Sequence, residues 1–396
     1  MAYKKKVKKY LTKEEKNNMI ESYQDKIDEH FLSIVDKVAD YFTEDNDKGI
    51  PIWESNAFAN PFRNPESGTH YNFENNILLW YASKTEKYDD RRFITAKQGF
   101  DEGLSMERGT KGHYIVQRFG MPMFPLNKRD DNGQPIIDPK TNKPIPERDE
   151  KGKIKYMYKR VSKLVKVFNI EQFTGELPNK WKMQEKSELS NEDELIAFRN
   201  ALESSSEVKI RRTSEGKNYY LPTLDEIVLA NSNLFRSTLN EISTMTHEMS
   251  HATGHQDRLD RPSLHRYTEK DSFRGFEELV ANFSARAMTD KFGLSNNEMS
   301  ESYNANHDSY DTSWMKYVLA ENPMLIFEAT KQAELAYRKI LKPLEDKLKL
   351  DPILKDKFYP KDSEVTDFLS NKEDSLKEKN KKQYKSKIKT WFKIFY

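Results

Sequence analysis

One short pattern limits the fold of this chain more than any other: His247-Glu-Met-Ser-His251, or H-E-x-x-H. On a helix, residues four positions apart lie on the same face, one turn above the other. Two imidazoles so placed can bind one metal ion, and the glutamate between them can take a proton from metal-bound water. The pattern predicts His247 and His251 as metal ligands and Glu248 as the general base.

The residues around this pattern favour a helix from about 233 to 253. Phe235, Leu239, Ile242 and Met249 form an apolar stripe, and the two histidines point roughly away from it. Chance is a weak explanation, because a chain with eight histidines is expected to contain such a pattern only at roughly the one-per-cent level. The helical placement therefore supports a metal site.

A catalytic zinc site normally has three protein ligands and one open position. Glu278 is the preferred third ligand, because it projects away from the apolar face of a second predicted helix. Its neighbour Glu277 is an alternative. Asp257 is another, since Gly254 would let the chain turn back towards the histidines, whereas His255 is not expected to bind the metal.

A peptidase would need further parts near the metal. The segment Asp225–Ala230 reads as a strand, and we expect it to be the edge strand along which an extended peptide binds. A second donor would be needed for the oxyanion that forms during hydrolysis. His265, His307 and Tyr310 are candidates, and the sequence does not choose among them.

The composition excludes several classes of protein. The chain has no cysteine, so disulfides, thiolate zinc sites and cysteine nucleophiles are excluded. With 66 basic and 64 acidic residues it is no uniformly cationic coat for nucleic acid, although local patches are allowed. At 33% charged residues it offers no membrane span, and we expect a location in the host-cell cytoplasm.

Aromatic and basic residues alternate in the N-terminal half. Single-stranded DNA binding needs a cationic groove and aromatic faces on which bases stack. The preferred contacts are Tyr71, Arg91, Arg92, Lys97, Arg108 and Lys111. The end of the chain, residues 379–396, has seven lysines and no acid, and it is either a solvated amphipathic helix or another polyanion contact.

Several ordered motifs resemble the ArdC-type antirestriction proteins. His247-Glu-Met-Ser-His-Ala-Thr-Gly-His255, followed by Arg258-Leu-Asp-Arg261 and Phe276-Glu-Glu-Leu-Val-Ala281, is similar to the metallopeptidase domain of that family. Val167–Gly175 and the stretch from Asn64 to Asn75 are similar to its DNA-binding domain. The resemblance covers roughly residues 15–345. It departs at Asn282, where an acid is expected, and at Ala252, where tryptophan is common.

The resemblance implies an α+β chain with a DNA-binding domain before a mainly helical, zincin-like domain of the gluzincin type. We predict a single-stranded DNA-binding domain at 1–180, a metallopeptidase domain at 181–345 and a charged tail at 346–396. An exposed excursion is expected at about 121–155, between the strands His113–Phe119 and Lys163–Phe168.

The family implies protection of plasmid or phage DNA from host restriction as that DNA enters a cell. The metal is expected to be Zn²⁺, with Mn²⁺ as the alternative, and the reaction is expected to be peptide-bond hydrolysis. Two other functions stay open. One is a non-catalytic protein that shields DNA and has a structural metal site. The other is a DNA-localised protease that cuts a regulator or a restriction subunit.

Overall fold

A computed structural model describes residues 13–44, 61–182, 189, 191–294 and 314–359. Contacts divide the chain into two compact units. One contains Met19–Met183 and Asn322–Phe327, and the other contains Gln184–Glu321 and the residues from Glu328 onwards. Both units contain helices and strands, which confirms the predicted α+β class, whereas the domain boundaries stay a prediction. Within the described ranges, no helix is long and apolar enough to cross a membrane.

The first set of elements lies between residues 13 and 182. In chain order these elements are α1 (Lys13–Glu44), β1 (Arg63–Asn64), β2 (Thr69–His70), α2 (Phe73–Glu86), β3 (Phe93–Ile94), α3 (Ala96–Asp101), β4 (His113–Pro125), β5 (Ile137–Asp138), β6 (Lys143–Pro144) and β7 (Tyr156–Asn169).

Strand β4 pairs antiparallel with residues 156–167 of β7, with one register shift between Pro122 and Phe124, and we call this pair of strands the ribbon. Both predicted strands are confirmed, but each extends beyond its apolar part, because the two strands satisfy each other's backbone groups there. Helix α2 is tied to the ribbon by Asn75. Its side chain donates to the Val116 carbonyl at 2.9 Å and accepts from the Val116 amide at 2.8 Å.

Residues 126–155, which we call the three-hairpin tip, are mostly exposed, and the predicted excursion of about 121–155 begins later than expected because residues 121–125 belong to β4. Two closed rings of three backbone hydrogen bonds join the bases of the hairpins. One ring links Leu126, Lys155 and Glu147, and the other links residues 128, 145 and 136. The tip buries little apolar surface, so its backbone hydrogen bonds and turns must hold it together.

Two turns of the tip are built alike. The side chain of Asp130 accepts the amides of residues 132 and 134, and that of Asp149 accepts those of residues 151 and 153. In each turn the preceding arginine donates to the carbonyl of a glycine with positive φ, which is Gly133 or Gly152. Aspartate is well suited to such turns, because its carboxylate accepts nearby amides.

The second set of elements lies between residues 191 and 359. In chain order these elements are α4 (Glu192–Ser204), β8 (Lys209–Thr213), β9 (Tyr219–Leu221), β10 (Glu226–Ala230), α5 (Thr238–Ala252), α6 (Pro262–His265), α7 (Asp271–Lys291), α8 (Met324–Leu348) and α9 (Lys355–Phe358), with a helical segment at 314–321.

Strand β10 is the centre of a three-stranded sheet. It pairs in parallel with β8 and antiparallel with β9. The prediction that Asp225–Ala230 forms an edge strand is therefore wrong. All five residues of β10 are buried, as a run such as Ile-Val-Leu-Ala requires cover on both faces. The short antiparallel strand β9 lies at one edge instead.

Helices α5 and α7 pack against each other in this unit. Helix α5 begins later than predicted, because Ser232–Leu234 form a separate 3₁₀ turn and Ser237 caps the helix by accepting the Asn240 amide at 3.1 Å. Its stripe of Leu239, Ile242, Met245 and Met249 is buried in the core of the unit. The apolar side of α5 is thus fixed by packing, and the histidines face α7.

Candidate metal centre

Helices α5 and α7 bring together the three side chains that were predicted as metal ligands. One ligand atom from each of His247, His251 and Glu278 lies within 4.8 Å of the others. The two Nε2 atoms are 3.1 Å apart, and the Glu278 carboxylate oxygens lie 3.5 Å from His247 Nε2 and 3.8 Å from His251 Nε2. Two nitrogens bound tetrahedrally to one Zn²⁺ would lie about 3.3 Å apart. The donor set therefore fits one divalent cation.

Asn282 orients the first histidine. Its Oδ1 lies 2.7 Å from His247 Nδ1. An amide oxygen can only accept a hydrogen bond, so Nδ1 carries the hydrogen and Nε2 faces Glu278 and His251. Asn282 is one helical turn after Glu278 on α7, so one helix supplies both a candidate ligand and the group that orients another.

The alternative ligand Glu277 has a different set of partners. It is fully buried, and Arg261 donates to its two oxygens at 2.8 and 2.9 Å, while the Ser263 hydroxyl donates at 2.7 Å. Burial raises the pKa of Glu277, but Arg261 and His251 together lower it to about 2. Its Oε2 lies 3.6 Å from His251 Nδ1, on the side of the ring opposite Nε2.

Arg261 also joins the end of α5 to this buried pair. Its guanidinium donates to the Thr253 hydroxyl at 2.7 Å and to the Ser250 carbonyl at 2.8 Å. A Cβ at position 254 would lie 2.7 Å from Arg261 Nη2. Gly254 follows Thr253, the C-cap residue of α5. Because it has no side chain, Gly254 also leaves the space that the guanidinium occupies.

Tyr267 holds the candidate ligand from α7. Its hydroxyl donates to Glu278 Oε1 at 2.5 Å. Burial and the charge of Glu278 raise the pKa of Tyr267, so the hydroxyl stays a donor. Burial raises the pKa of Glu278, but His247, His251 and Tyr267 lower it to about 2 overall. Nothing in the polar sequence around Tyr267 signals this contact.

Glu248 is buried beside His247 on α5. Burial lowers the pKa of His247, but Glu278, Glu248 and Asn282 outweigh burial and raise it to about 9. The carboxylates of Glu278 and Glu248 thus favour positive charge at His247. This electrostatic bias is what a cation site requires.

The remaining predicted site residues lie elsewhere. The Asp257 side chain is 75% exposed and its carboxylate lies 3.5 Å from His255 Nδ1. His265 is exposed and bonds Asp260 at 2.9 Å, so its ring is engaged away from the histidine pair. His307 and Tyr310 fall outside the described residues, as does the lysine-rich end of the chain.

Two predicted DNA contacts are engaged inside the N-terminal unit. The Tyr71 hydroxyl donates to the Phe93 carbonyl at 2.9 Å. The Arg92 guanidinium binds Asp90 and donates to the Trp181 carbonyl at 2.8 Å. Both side chains therefore help to hold the loops of this unit together.

Arg91 lies close to these two residues. Its guanidinium carbon is 4.8 Å from the centre of the Phe62 ring. Arg63, which was not among the preferred contacts, pairs with Arg92 through a β-bridge. Its Nε is buried and has no hydrogen-bond partner among the described residues. Burial and then the charge of Arg92 lower the pKa of Arg63. An anion here would relieve both effects.

The other three predicted contacts are exposed. Lys97 lies on α3 and forms an ion pair with Asp101 one turn later. Arg108 and Lys111 lie in the exposed loop between α3 and β4. The Lys111 carbonyl accepts from Gln172 at 2.9 Å, which fixes the loop next to the end of β7.

Two family models match separate parts of this chain. The N-terminal domain of anti-restriction factor ArdC matches residues 33–168, and a zincin-like metallopeptidase family matches residues 199–332. Two Escherichia coli proteins named DNA primase TraC are 29% and 27% identical over 271 residues, 68% of this chain. This chain spans less than a quarter of their length, at 23% and 17%.

Solved structures of the antirestriction ArdC protein from the R388 plasmid extend the likeness. The metal-free crystal structure is 24% identical and the Mn(II)-bound one 25% identical, each with a TM-score of 0.52. The matches cover 79% and 78% of this chain, and 98% and 97% of those chains. This chain therefore contains an ArdC-type N-terminal domain followed by a zincin-like metallopeptidase domain, and in this arrangement it is similar to the ArdC-type antirestriction proteins.

Proposed function

We propose that this protein is a DNA-associated metalloprotein whose C-terminal unit binds one divalent cation and whose N-terminal unit binds single-stranded DNA. The observation that carries the metal half is the convergence of His247, His251 and Glu278, with one ligand atom from each within 4.8 Å of the others. Zn²⁺ is the proposed ion. Mn²⁺ is the alternative, because a related ArdC structure contains Mn(II).

We further propose that the site hydrolyses peptide bonds. A divalent cation bound there would supply Lewis acidity and a water of lowered pKa. Glu248 would accept the proton of the attacking water and later donate it to the leaving amine. Asn282 and Tyr267 would keep His247 and Glu278 in place by the hydrogen bonds already formed to them.

The edge strand β9 is the proposed seat for an extended peptide. It replaces β10, which is central in its sheet, and it lies against α5. Tyr219 at its start is 40% exposed. A peptide would add to the unpaired edge by backbone hydrogen bonds, as in other strand-addition complexes.

The DNA half is supported by the basic groups around β1 and β3. Arg63, Arg91 and Arg92 lie close together, and the buried Nε of Arg63 lacks a hydrogen-bond partner among the described residues. A phosphate would supply acceptors for such donors. The ArdC-type N-terminal domain found at 33–168 agrees with a role on DNA.

Metal content tests the first half of this proposal. Purified protein should contain about one divalent cation per chain, measured by elemental analysis, and His247→Ala should abolish it. Glu248→Gln is the matched control, because the amide keeps the shape of the residue and leaves the three ligands unchanged. Wild-type protein that neither contains nor takes up stoichiometric Zn²⁺ or Mn²⁺ would contradict the metal site.

Glu248→Gln also separates the three functions left open by the sequence. If the variant binds metal and DNA but no longer protects incoming DNA, catalysis is required. A host protein cleaved only by the wild type would then support a DNA-localised protease that cuts a regulator or a restriction subunit. If the variant protects as well as the wild type, the protein shields DNA without catalysis and its metal site is structural.

Binding to DNA is tested with a single-stranded oligonucleotide and the duplex of the same sequence. The affinity should be higher for the single strand and should fall as salt rises. Arg91→Gln should weaken it, with Arg338→Gln on α8 as the control, because Arg338 is 70% exposed and pairs with Glu334 on the same helix. No measurable affinity at low salt would remove the DNA half.

A further inference from the structure

The ribbon has an unusual charge for this chain. Strands β4 and β7 contain five basic residues and no acidic residue, although basic and acidic residues are nearly balanced overall, at 66 and 64. The basic residues are Arg118, Lys159, Arg160, Lys163 and Lys166. Glu74 of α2 pairs with Arg118, and Glu21 of α1 pairs with Lys159. Five basic residues against these two acids give the ribbon an excess of positive charge.

The ribbon also exposes aromatic rings close to these charges. Tyr156 and Tyr158 are 37% and 60% exposed, and Met157 between them is 46% exposed. Single exposed apolar residues are ordinary on protein surfaces. Here three successive residues are exposed on a strand whose other end is buried in the core, with the two tyrosine rings on one face and Met157 on the other.

One face of β7 combines the rings and the charges. Side chains two residues apart on a strand point to the same face, so Tyr156, Tyr158, Arg160 and Lys166 share one face. Lys159 points to the opposite face, where it pairs with Glu21 of α1 at 3.0 Å. Tyr156, Tyr158 and Arg160 therefore lie on the face opposite to this ion pair.

The residues across the ribbon leave room for a ligand. Pro122 lies opposite Tyr158, and Gly120 lies opposite Arg160. A Cβ at Gly120 would lie 3.3 Å from Cδ1 of Tyr158, so the ring extends over the glycine. Tyr158 and Arg160 thus lie beside each other on a surface with little side chain opposite them.

We propose that this face of the ribbon, formed by Tyr156, Tyr158 and Arg160, binds single-stranded nucleic acid. Bases would stack on the two tyrosine rings, and a phosphate would bind Arg160. This inference rests on the proposed DNA-binding function and adds a surface distinct from the arginines around β1 and β3.

The spacing of the rings favours a single strand over a duplex. Residues two apart on a strand are about 6.7 Å apart. This is about twice the 3.4 Å rise per base of one strand in a duplex. Successive bases can reach both rings only when they are unstacked, which a duplex does not allow. A protein partner would also pack on the exposed tyrosine rings, but it would not require the excess of positive charge.

The test uses the full chain, a fluorescently labelled oligo-dT of about 20 nucleotides and fluorescence anisotropy at several salt concentrations. Tyr158→Ala should weaken binding about 5- to 150-fold, the range for loss of one base–aromatic stack. Tyr158→Phe should bind like the wild type, because it keeps the ring. Tyr317→Ala, at a tyrosine of the other unit that is 48% exposed, is the matched control and should have no effect.

Charge is tested in the same assay. Arg160→Gln should lower the dependence of log affinity on log salt by about 0.7, which corresponds to one phosphate contact on a single strand. Arg338→Gln makes the same charge change on α8 and should leave the slope unchanged. Far-ultraviolet circular dichroism and metal content should be those of the wild type for every variant, because the altered side chains are exposed.

The outcomes are distinguishable. If the wild type binds oligo-dT and Tyr158→Ala and Arg160→Gln bind equally well, the ribbon proposal is wrong, while the proposed DNA-binding function stands. If the wild type does not bind at low salt, both fail. If Tyr158→Ala changes only the sedimentation of the protein and not its affinity for DNA, the face is a contact between copies of the chain and the proposal is overturned.

Discussion

The Oδ1 atom of Asn282 lies 2.7 Å from Nδ1 of His247. Asn282 itself lies on α7, one helical turn after Glu278. The ArdC-type motif leads one to expect an acid at position 282, and this chain has its uncharged counterpart. The asparagine keeps the hydrogen bond that orients the imidazole. It adds no further negative charge to a site that already contains Glu248 and Glu278.

Replacement of Asn282 should change metal affinity without removing a ligand. Asn282→Leu deletes the acceptor for His247 and should weaken metal binding about 10- to 100-fold, the usual effect of losing a group that orients a ligand. Asn282→Asp keeps an acceptor and adds charge, so it should bind metal at least as tightly as the wild type. Competition with a chromophoric chelator measures both. Equal affinity for Asn282→Leu and the wild type would contradict this role.

Removal of Arg261 should strongly destabilise the C-terminal unit. Its guanidinium and the Glu277 carboxylate are both fully buried and form two hydrogen bonds with each other. Arg261→Met removes the cation that balances the buried Glu277 charge, which typically costs about 3–5 kcal/mol. Urea denaturation should show this loss, and Arg338→Met on the surface should change the free energy of unfolding by less than about 0.5 kcal/mol.

A double variant that also replaces Glu277 offers an independent check on the predicted loss of stability. The double variant Arg261→Met/Glu277→Met removes both charges and should recover much of the lost stability, because two apolar side chains can replace a buried ion pair. A double variant less stable than Arg261→Met alone would show that the two charges are not the source of the effect.

Gly254→Ala should be destabilising because of Arg261. A Cβ at position 254 would lie 2.7 Å from the guanidinium, so either the helix end or Arg261 must shift, at a cost of about 1–3 kcal/mol. The same substitution made in an Arg261→Met background should cost less. Equal costs in the two backgrounds, measured by urea denaturation, would mean that the glycine is required for the helix end alone.

As pH rises, the stability of the metal-free protein should fall, whereas the affinity for metal should rise. In the metal-free protein the pKa of His247 is raised from 6.5 to about 9, despite burial, by Glu278 and Glu248. Its protonated form therefore contributes stability that is complete below about pH 6.5 and is lost as pH rises through 9. Metal requires neutral imidazole, so metal affinity should rise over the same interval.

Thermal unfolding of chelator-treated protein between pH 6 and 9.5, together with Mn²⁺ affinity at each pH, checks both signs. His247→Ala should flatten the first curve relative to the wild type. The ion pair between His247 and Glu278 would be contradicted if the melting temperature of the metal-free wild type rose steadily to pH 9.5, and rose more than that of His247→Ala.

The helix with H-E-x-x-H and the two long strands of the ribbon are set by local sequence. Spacing along the chain determines which side chains share a helix face, and alternation determines which share a strand face. The pattern Arg-Asp-x-x-Gly occurs at 129–133 and again at 148–152, where it forms the two matching turns of the tip. This local signal is present in the sequence, but our predictions did not use it.

Position within the sheet was not available from the sequence. The apolar run of β10 indicates a strand, but whether a strand is central or at an edge depends on distant partners. Here β8 and β9 cover both of its sides. Likewise, alternating aromatic and basic residues suggest a nucleic-acid surface, but Tyr71 and Arg92 are engaged with the protein itself, whereas Tyr158 is exposed.

By itself, the sequence determined that two imidazoles and a glutamate would lie on one helix, and that a second helix would contain two adjacent glutamates. Only the tertiary structure decided between the adjacent Glu277 and Glu278. Neighbouring residues on a helix point about 100° apart, so the rotation of α7 against α5 directs one carboxylate to Arg261 and the other to the histidine pair. That rotation results from packing between distant segments, which spacing along the chain does not encode.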